Sequence, residues 1–258
     1  MAKWTPFPHP GDYRFDTTSL KKQWARLHIG DIEPFPQNDA VLQAWVLFHN
    51  GEFQAAAETG LQAGAAGATV AAKATAIYAT YLEKKEKARL DLFLQVAERA
   101  HALAIAQPGN PNAWYWHAYA LGRYSQAISV AKALAQGLGT KIKESLEKTI
   151  ALAPQHADAR IALGAFHAEV IDKVGSLIGG MTYGAKKEKS LKLFQEALQL
   201  NPGSAIARIE YANALVMLEG EQRMQEATAL YEQAAASEAA DAMERLDIEM
   251  ARAELQED

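Results

Sequence analysis

IKESLEKTIALAP (residues 142–154), followed by ADARIALG (residues 157–164), is the stretch that decides the fold. The same pattern returns as SLKLFQEALQLNP (190–202) followed by AIARIEYA (205–212). In each copy apolar residues recur every three or four positions, as on one face of a helix, and the run stops at a proline, which interrupts helices. A second run with small residues on one face comes next. The pattern predicts a helical repeat built from closely packed helix pairs.

The composition favours an all-α chain. Of the 258 residues, 49% are hydrophobic, but alanine supplies many of them and only 9% of the chain is aromatic. Alanine is the best helix former and adds little apolar surface to a core, so it suits closely packed helices better than a sheet. The sequence also has no run of β-branched residues long enough to form the core of a sheet.

Several classes of site and location are disfavoured by what the sequence lacks. It has no cysteine, which excludes disulfides, thiolate zinc sites and a cysteine nucleophile. The start, MAKWTPFPHP, has no apolar core of a signal peptide. No window approaches the roughly 18 uninterrupted apolar residues of a membrane span. We therefore expect a cytoplasmic protein with no membrane span.

Charge is unevenly distributed along the chain. The formal net charge is −5, but residues 219–258 carry twelve acidic and three basic side chains, whereas residues 1–218 carry 19 acidic and 23 basic ones. The acidic end favours a solvated last helix. It also argues against nucleic acid as a partner, because phosphate backbones need a basic surface.

The chain is predicted to divide after residue 36. Residues 1–16 hold three prolines and no helical period, which predicts an extended arm, and its aromatic residues favour packing against the body. Asp16 is placed to cap a short helix, and Asp39 to cap the next one. We predict an arm and short helix over residues 1–36 and a repeat domain over residues 37–258.

Three prolines mark the repeat, and their spacing is unusual. Pro111, Pro154 and Pro202 stand 43 and 48 residues apart, whereas a tetratricopeptide (TPR) unit has about 34 residues. The extra residues are predicted to form a short helix at Ser125–Gln136 and a glycine-rich loop at Gly175–Gly184.

Within each unit the pattern resembles the TPR family. In that family small residues let two helices approach each other, and large ones fill the gap between them. The resemblance implies an all-α, helical-hairpin solenoid with an inserted helix and a glycine-rich loop between repeat helices. The positions that match the family's large and small residues are Trp114, Leu163, Gly164, Ser190, Phe194, Ala197, Tyr211 and Ala212.

Residues 87–218, with both insertions, resemble a divergent branch of that family. The branch includes the regulators of microtubule dynamics and the T-component proteins linked to TRAP (tripartite periplasmic) transporters. The resemblance implies a helical-repeat body, assembly into a homo-oligomer and no established catalytic residues. The chain departs from both groups, because it shows neither the export signal and lipidation cysteine of the transport proteins nor the membrane anchor usual in the eukaryotic members.

No catalytic constellation emerges from the motifs. His167-Ala-Glu169 echoes the His-x-Glu of zinc deaminases, but the Pro-Cys-x-x-Cys partner of that signature is missing. Gly175–Gly184 and the lysines after it offer an anion site or a plain connection, without the register of a P-loop. We predict no enzyme activity, no cofactor and no metal; an enzyme site assembled from distant repeats is the least favoured interpretation.

The candidate binding residues come from two patterns. Aromatic residues at 114, 115 and 116 cover about 200° of a helix, so at least one ring should face a groove or a partner unless the 125–136 helix covers it. Arg160 and Arg208 occupy equivalent repeat positions, where they would form a basic ladder for a carboxylate or lie solvated. The full set is Trp116, Tyr119, Arg123, Arg160, His167, Tyr183 and Arg208.

These features predict a noncatalytic helical-repeat scaffold that binds a protein or peptide partner or assembles subunits. The alternative is a small-molecule carrier related to the T-component proteins. Its pocket would hold an apolar or acidic ligand and would be lined by Leu163, His167, Met181 and Tyr183.

Overall fold

The protein is built from helices alone over the part of the chain that is described. The computed structural model describes residues 3–257, and no strand occurs among them. The all-α prediction is therefore confirmed; the first two residues of the predicted arm lie outside the described chain. The helices are α1 (Thr17–Leu27), α2 (Asp39–His49), α3 (Phe53–Gln62), α4 (Ala68–Tyr81), α5 (Glu86–Ala106), α6 (Pro111–Gln126), α7 (Val130–Ala135), α8 (Leu138–Leu152), α9 (Ala157–Tyr183), α10 (Lys187–Leu200), α11 (Ala205–Glu219), α12 (Met224–Ala235) and α13 (Ala242–Glu257).

Local capping sets where several helices begin. Asp16 accepts from the backbone N–H of Ser19, and the Ser19 hydroxyl accepts from the backbone N–H of Asp16, so α1 starts with the predicted cap. The prediction for α2 was wrong by one residue. Asn38, not Asp39, is the cap and accepts from two backbone N–H groups of the first turn. Both residue types cap well, and here Asn38 has the extended backbone that a cap requires.

The described chain packs as two compact units. The first takes the chain as far as His28, then Glu33–Leu138 and Asp241–Met243. The second takes Ile29–Ile32, Gly139–Ala240 and the chain from Glu244 on. The predicted division after residue 36 stays a prediction.

The core of the first unit is aromatic. Helices α1 to α6 pack in sequence, each against the next, and α4 also contacts α2 and α6. Trp45 and Phe48 of α2 are fully buried. Their rings meet edge to face at 5.6 Å, and Phe48 meets Phe53 of α3 at 5.5 Å. Such edge contacts are favoured by the aromatic quadrupole and hold the α2–α3 hairpin together.

The core of the second unit shows why the repeat needs both small and large residues. A Cβ added at Gly164 of α9 would lie 2.9 Å from the ring of Phe194 on α10, so only glycine permits this approach. The Ser190 hydroxyl donates to the Gly164 carbonyl at 2.7 Å, and Phe194 stacks on Tyr211 of α11 at 5.3 Å. The packing roles predicted for these positions are confirmed.

The glycine-rich insertion differs from a loop. The helix breaks at Gly175, whose φ of 81° and ψ of 156° suit glycine alone, and resumes over residues 176–183. Gly184 then ends it in the left-handed region. The predicted interruption is therefore a bend followed by a short helix, which we call the 176–183 segment.

The inserted helix is shorter than predicted. Residues 125 and 126 belong to α6, and α7 spans only Val130–Ala135, none of it buried. The reason is local: the Ser129 side chain caps α7 at its start, and Gly137, with φ 63°, follows its end. None of the helices in residues 3–257 is long and apolar enough to cross a bilayer.

Candidate protein-binding surface

The first unit holds an extended chain segment, its own N-terminal arm, through side chains that bond to the arm's backbone. Gln54 of α3 accepts from the N–H of residue 4 at 2.9 Å, and the Tyr78 hydroxyl accepts from the N–H of residue 5 at 3.3 Å. Asn50 bonds Phe15 twice, accepting from its N–H at 2.7 Å and donating to its carbonyl at 3.0 Å. The two ends of the arm are thus fixed by groups that recognise backbone and not sequence.

Aromatic contacts fix the arm between these ends. Trp4 stacks on Tyr78 with the ring centroids 4.1 Å apart. Phe7 is buried against Phe53, and the glycine at position 51 makes room for it, since a Cβ there would lie 2.6 Å from the Phe7 ring. Burial raises the pKa of Tyr78, so its hydroxyl stays protonated and donates to Glu83 at 3.0 Å.

A cleft of about 640 Å³ lies between the arm and the α2–α3 turn. This volume falls within the range of roughly 300–1,000 Å³ that is usual for ligand sites. Its walls combine aromatic rings of the arm with the start of α3, and Lys3, Arg14 and Glu52 supply charges. The cleft offers an apolar floor with exposed charged groups at its edge.

The predicted aromatic group on α6 is mostly internal. Tyr115, Trp116 and Tyr124 are buried, whereas Trp114 and Tyr119 are half-buried. Trp116 and Tyr119 meet at 5.2 Å. Part of the covering comes from α7, as predicted for the inserted helix, because the Lys132 ammonium lies 5.8 Å from the Tyr124 ring centroid. Tyr119 is therefore the predicted ring that still has a free edge.

Tyr119 and Arg123 form a small polar patch on the first unit. The Tyr119 hydroxyl lies 2.9 Å from the hydroxyl of Thr80 on α4, and the Arg123 guanidinium lies 5.4 Å from the Tyr119 ring centroid. This cation–π contact orients a cation at the surface. The structure thus brings together three of the predicted residues, Trp116 from inside and these two at the surface.

The two predicted arginines of the second unit occupy matching places. Each bonds the carbonyl of the residue four positions earlier, which caps its helix: Arg160 to His156 at 3.3 Å and Arg208 to Ser204 at 2.9 Å. Arg160 also pairs with Glu196 at 3.3 Å. The structure gives both guanidinium groups a structural role at helix starts; a ladder for a carboxylate stays a prediction.

His167 and Tyr183 are placed differently from the residues predicted beside them. His167 is fully buried, and neither ring nitrogen has a hydrogen-bond partner among the described residues. Burial, with Lys189 and Lys143 adding to it, lowers the pKa of His167 to about 4. Tyr183 packs against Gly139, while Met181 is 82% exposed. Met181 therefore does not share the buried surroundings of His167.

A buried polar chain in the first unit had no signal in the sequence. His49 Nδ1 lies 2.6 Å from the Asp241 carboxylate, and His49 Nε2 lies 3.2 Å from His28 Nε2. A carboxylate only accepts, so Nδ1 of His49 carries the proton. In neutral His49 the other nitrogen then accepts from His28. All three side chains are sealed from solvent, so the chain fastens residue 241 to α1 and α2 instead of meeting a substrate.

Other sites and omissions can be stated for the described residues. Among residues 3–257, no group of three or more histidine, cysteine, aspartate or glutamate side chains is arranged to hold a metal ion. Sequence reasoning predicted that the arm packs on the body but missed Gln54 and Tyr78, which lie 50 and 73 positions from their arm partners. Only the aromatic content of the arm signalled a surface here.

Comparison with known proteins adds one structural likeness. No family model and no curated protein matches the chain. Among solved structures it is similar to a thermophilic TPR protein of Thermus thermophilus, with a TM-score of 0.58 and 17% sequence identity. The likeness covers 83% of this chain and 98% of that one.

The chain has a TPR-like fold. At this identity the likeness concerns the fold alone. The TPR-like helix pairs explain why small residues recur at fixed places, since each pair must approach its neighbour to bury a continuous core. The finer resemblance to the divergent branch stays a prediction.

Proposed function

We propose that this protein is a noncatalytic TPR-like scaffold whose first unit binds an extended segment of a partner protein. The observation that supports this proposal is the arm itself. Its backbone is held by Asn50, Gln54 and Tyr78 while an open cleft remains beside it. A surface that holds one extended chain by its backbone has the chemistry to hold another.

The arm contacts indicate what such a segment would contain. Bonds to backbone N–H and carbonyl groups are indifferent to sequence, so selectivity must come from side-chain pockets. Phe7 and Trp4 fill such pockets in the arm. We therefore propose a segment with aromatic residues and prolines, like the arm, that enters the cleft or replaces the arm.

The Tyr119–Arg123 patch is the second part of the proposed surface. Aromatic and arginine side chains are the residue types that most often dominate binding energy at interfaces. Arg123 oriented over Tyr119 suits an acidic group on the partner. Binding roles for the other predicted residues, a homo-oligomer and a cytoplasmic location are kept as proposals on the same footing.

A peptide experiment tests the backbone-holding surface. The probe is a labelled synthetic peptide of arm residues 3–16, and fluorescence anisotropy measures its binding to the full chain. In the wild type the tethered arm competes at an effective concentration near millimolar, so binding should be weak. Trp4→Ala loosens that arm and should bind the peptide at least tenfold more tightly.

Two further variants make the peptide result specific. Adding Asn50→Ala to Trp4→Ala removes both bonds to Phe15 and should abolish the gain. Asp12→Ala alters an exposed arm residue and should behave like the wild type. If the peptide binds none of these proteins, the surface does not take extended segments and the proposal fails.

Site-specific photo-crosslinking in the native cell tests for a partner. A crosslinking amino acid at position 52, which lines the cleft, or at position 119 should join a second polypeptide. The same group at the exposed position 98 of α5 should not. Equal crosslinking at 52, 119 and 98 would show that contact is unspecific.

One observation favours the small-molecule alternative in the second unit. His167 keeps a donor and an acceptor unused inside the protein, and such groups usually have partners. A small ligand with a carboxylate could supply them. Native mass spectrometry of the purified protein should then show an added mass that His167→Leu loses; a bare mass in both proteins would remove this alternative.

A further inference from the structure

The 176–183 segment is a rigid helical element and not a loose connection. Gly179 packs so closely on α9 that a Cβ there would lie 2.9 Å from a methyl group of Val170. The N–H of Ala185 donates to the Gly179 carbonyl at 3.1 Å. At the far end, the Tyr183 ring lies against Gly139 of α8, where a Cβ would come within 2.7 Å of it. One face of the segment is thus fixed to the second unit.

The opposite face is apolar and protrudes into solvent. Leu177 is 74%, Ile178 59% and Met181 82% exposed. Side chains that line a groove lose much of their exposure to the groove walls, so these values describe a projecting face. Three such residues on a helix about 12 Å long exceed the scattered exposed apolar residues of an ordinary surface.

Only basic residues accompany this face. Between Lys173 and Lys187 the sequence has three lysines and no acidic residue. Lys173 and Lys186 are exposed, one before the bend at Gly175 and one after Gly184. Lys187, half-buried, pairs with Glu219 at 3.3 Å, which leaves the two exposed lysines as the free charges at the ends of the segment.

We propose that the 176–183 segment binds the surface of an anionic lipid bilayer. Apolar side chains that project between lysines match the layering of a membrane surface, where acyl chains lie beneath negatively charged headgroups. The small polar residues Ser176 and Thr182 suit the headgroup level. Neither a few apolar residues nor a few lysines hold a protein on a membrane alone, but the two together do.

This proposal is independent of segment binding by the first unit. The acidic residues after position 218 repel an anionic membrane, and screening limits that repulsion to about 10 Å at 0.1 M salt. The binding orientation therefore places the segment, and not the acidic part of the chain, against the lipid.

Vesicle co-sedimentation of the full chain tests the proposal. The probes are vesicles of phosphatidylcholine alone and vesicles with 30% phosphatidylglycerol, roughly the anionic content at which lysines respond. We expect binding to the anionic vesicles only, weakened when NaCl is raised from 0.1 to 0.5 M. Leu177→Ser with Ile178→Ser and Met181→Ser should lower the partition coefficient at least tenfold.

Charge and position are controlled separately. Lys173→Gln with Lys186→Gln should lower binding to anionic vesicles about tenfold. Ile105→Ser changes an apolar residue of α5 that is 64% exposed in the first unit and should leave binding unchanged. All the changed side chains are exposed, so circular dichroism and thermal unfolding should match the wild type.

Two results would overturn the proposal. The first is no sedimentation with anionic vesicles at 0.1 M salt, or sedimentation that the triple serine variant does not weaken. The second is a wild-type oligomer in sedimentation velocity that the triple variant dissociates, because the face would then be a contact between copies of this chain. Neither result bears on peptide binding by the arm surface.

Discussion

At the scale of single residues, His167 shows how burial acts on a titratable group. Its pKa of about 4 lies below the ordinary 6.5 because burial, and then Lys189 and Lys143, disfavour the charged ring. Below pH 6.5 the unfolded chain takes up a proton that the folded protein refuses. Folding stability therefore falls as the pH drops from 6.5 towards 4 and is unaffected by this group above that window.

The first prediction follows from that pH window. His167→Leu should abolish the part of the acid destabilisation that His167 causes, which is about 2 kcal/mol at pH 5. Urea unfolding at pH 5 and pH 7.5 measures the difference. His101→Leu, which changes an exposed histidine, should keep the wild-type difference. Parallel pH curves for His167→Leu and the wild type would contradict the prediction.

Gly164 gives the second prediction. Gly164→Ala places a methyl group 2.9 Å from the Phe194 ring, so α9 and α10 must separate. We expect a loss of about 1–3 kcal/mol in the free energy of unfolding. Gly122→Ala is the matched control: it lies inside α6 with nothing within 4 Å of the added methyl group, and should be neutral or gain about 0.5–1 kcal/mol. Equal stability of both variants would show that the helix pair has slack.

At the scale of elements, Gly175 decides the direction of the chain after α9. Its φ and ψ fall in a region that is essentially closed to other residues, and a Cβ there would meet no atom. The cost of replacing it is therefore one of backbone conformation and not of packing.

The third prediction concerns that bend. Gly175→Ala should destabilise the folded-back 176–183 segment by about 1–3 kcal/mol, seen as faster amide exchange over residues 176–183. Gly180→Ala, inside the same segment and in ordinary contact with its neighbours, should keep slow exchange. If both variants exchange like the wild type, the bend does not depend on glycine.

At the scale of the whole molecule, each unit has its own core. Phe48 lies at the centre of the first and Phe194 at the centre of the second, and both are fully buried. In repeat folds each helix pair contacts mainly its neighbours, so stability is close to a sum of local terms.

The fourth prediction uses these two residues as a pair. Phe194→Leu should raise amide exchange in α9–α11 and leave α2–α4 slow, and Phe48→Leu should do the reverse. Each change should cost about 1–2 kcal/mol, through lost apolar contact and a small cavity. Hydrogen exchange with mass spectrometry measures both; loss of protection in all helices with either variant would mean that the chain unfolds as one block.

The sequence by itself determined the helices and much of their pairing. Apolar spacing, prolines and caps act over a few positions, so α1, α6, α10 and α11 are readable from neighbours in the chain. The match of Gly164 to Phe194 followed because a repeated pattern implies a repeated contact. The miss at Asn38 was of one residue, since adjacent residues compete for the same cap.

Only the tertiary structure decided the arm surface, the buried chain of His28, His49 and Asp241, and the exposed face of the 176–183 segment. Asn50 meets Phe15 across 35 positions and His49 meets Asp241 across 192. Such contacts depend on which helices pack together, and nothing in the local sequence specifies that. Exposure follows the same rule: Leu163 and Leu177 are the same residue type, and only packing buries one and leaves the other in solvent.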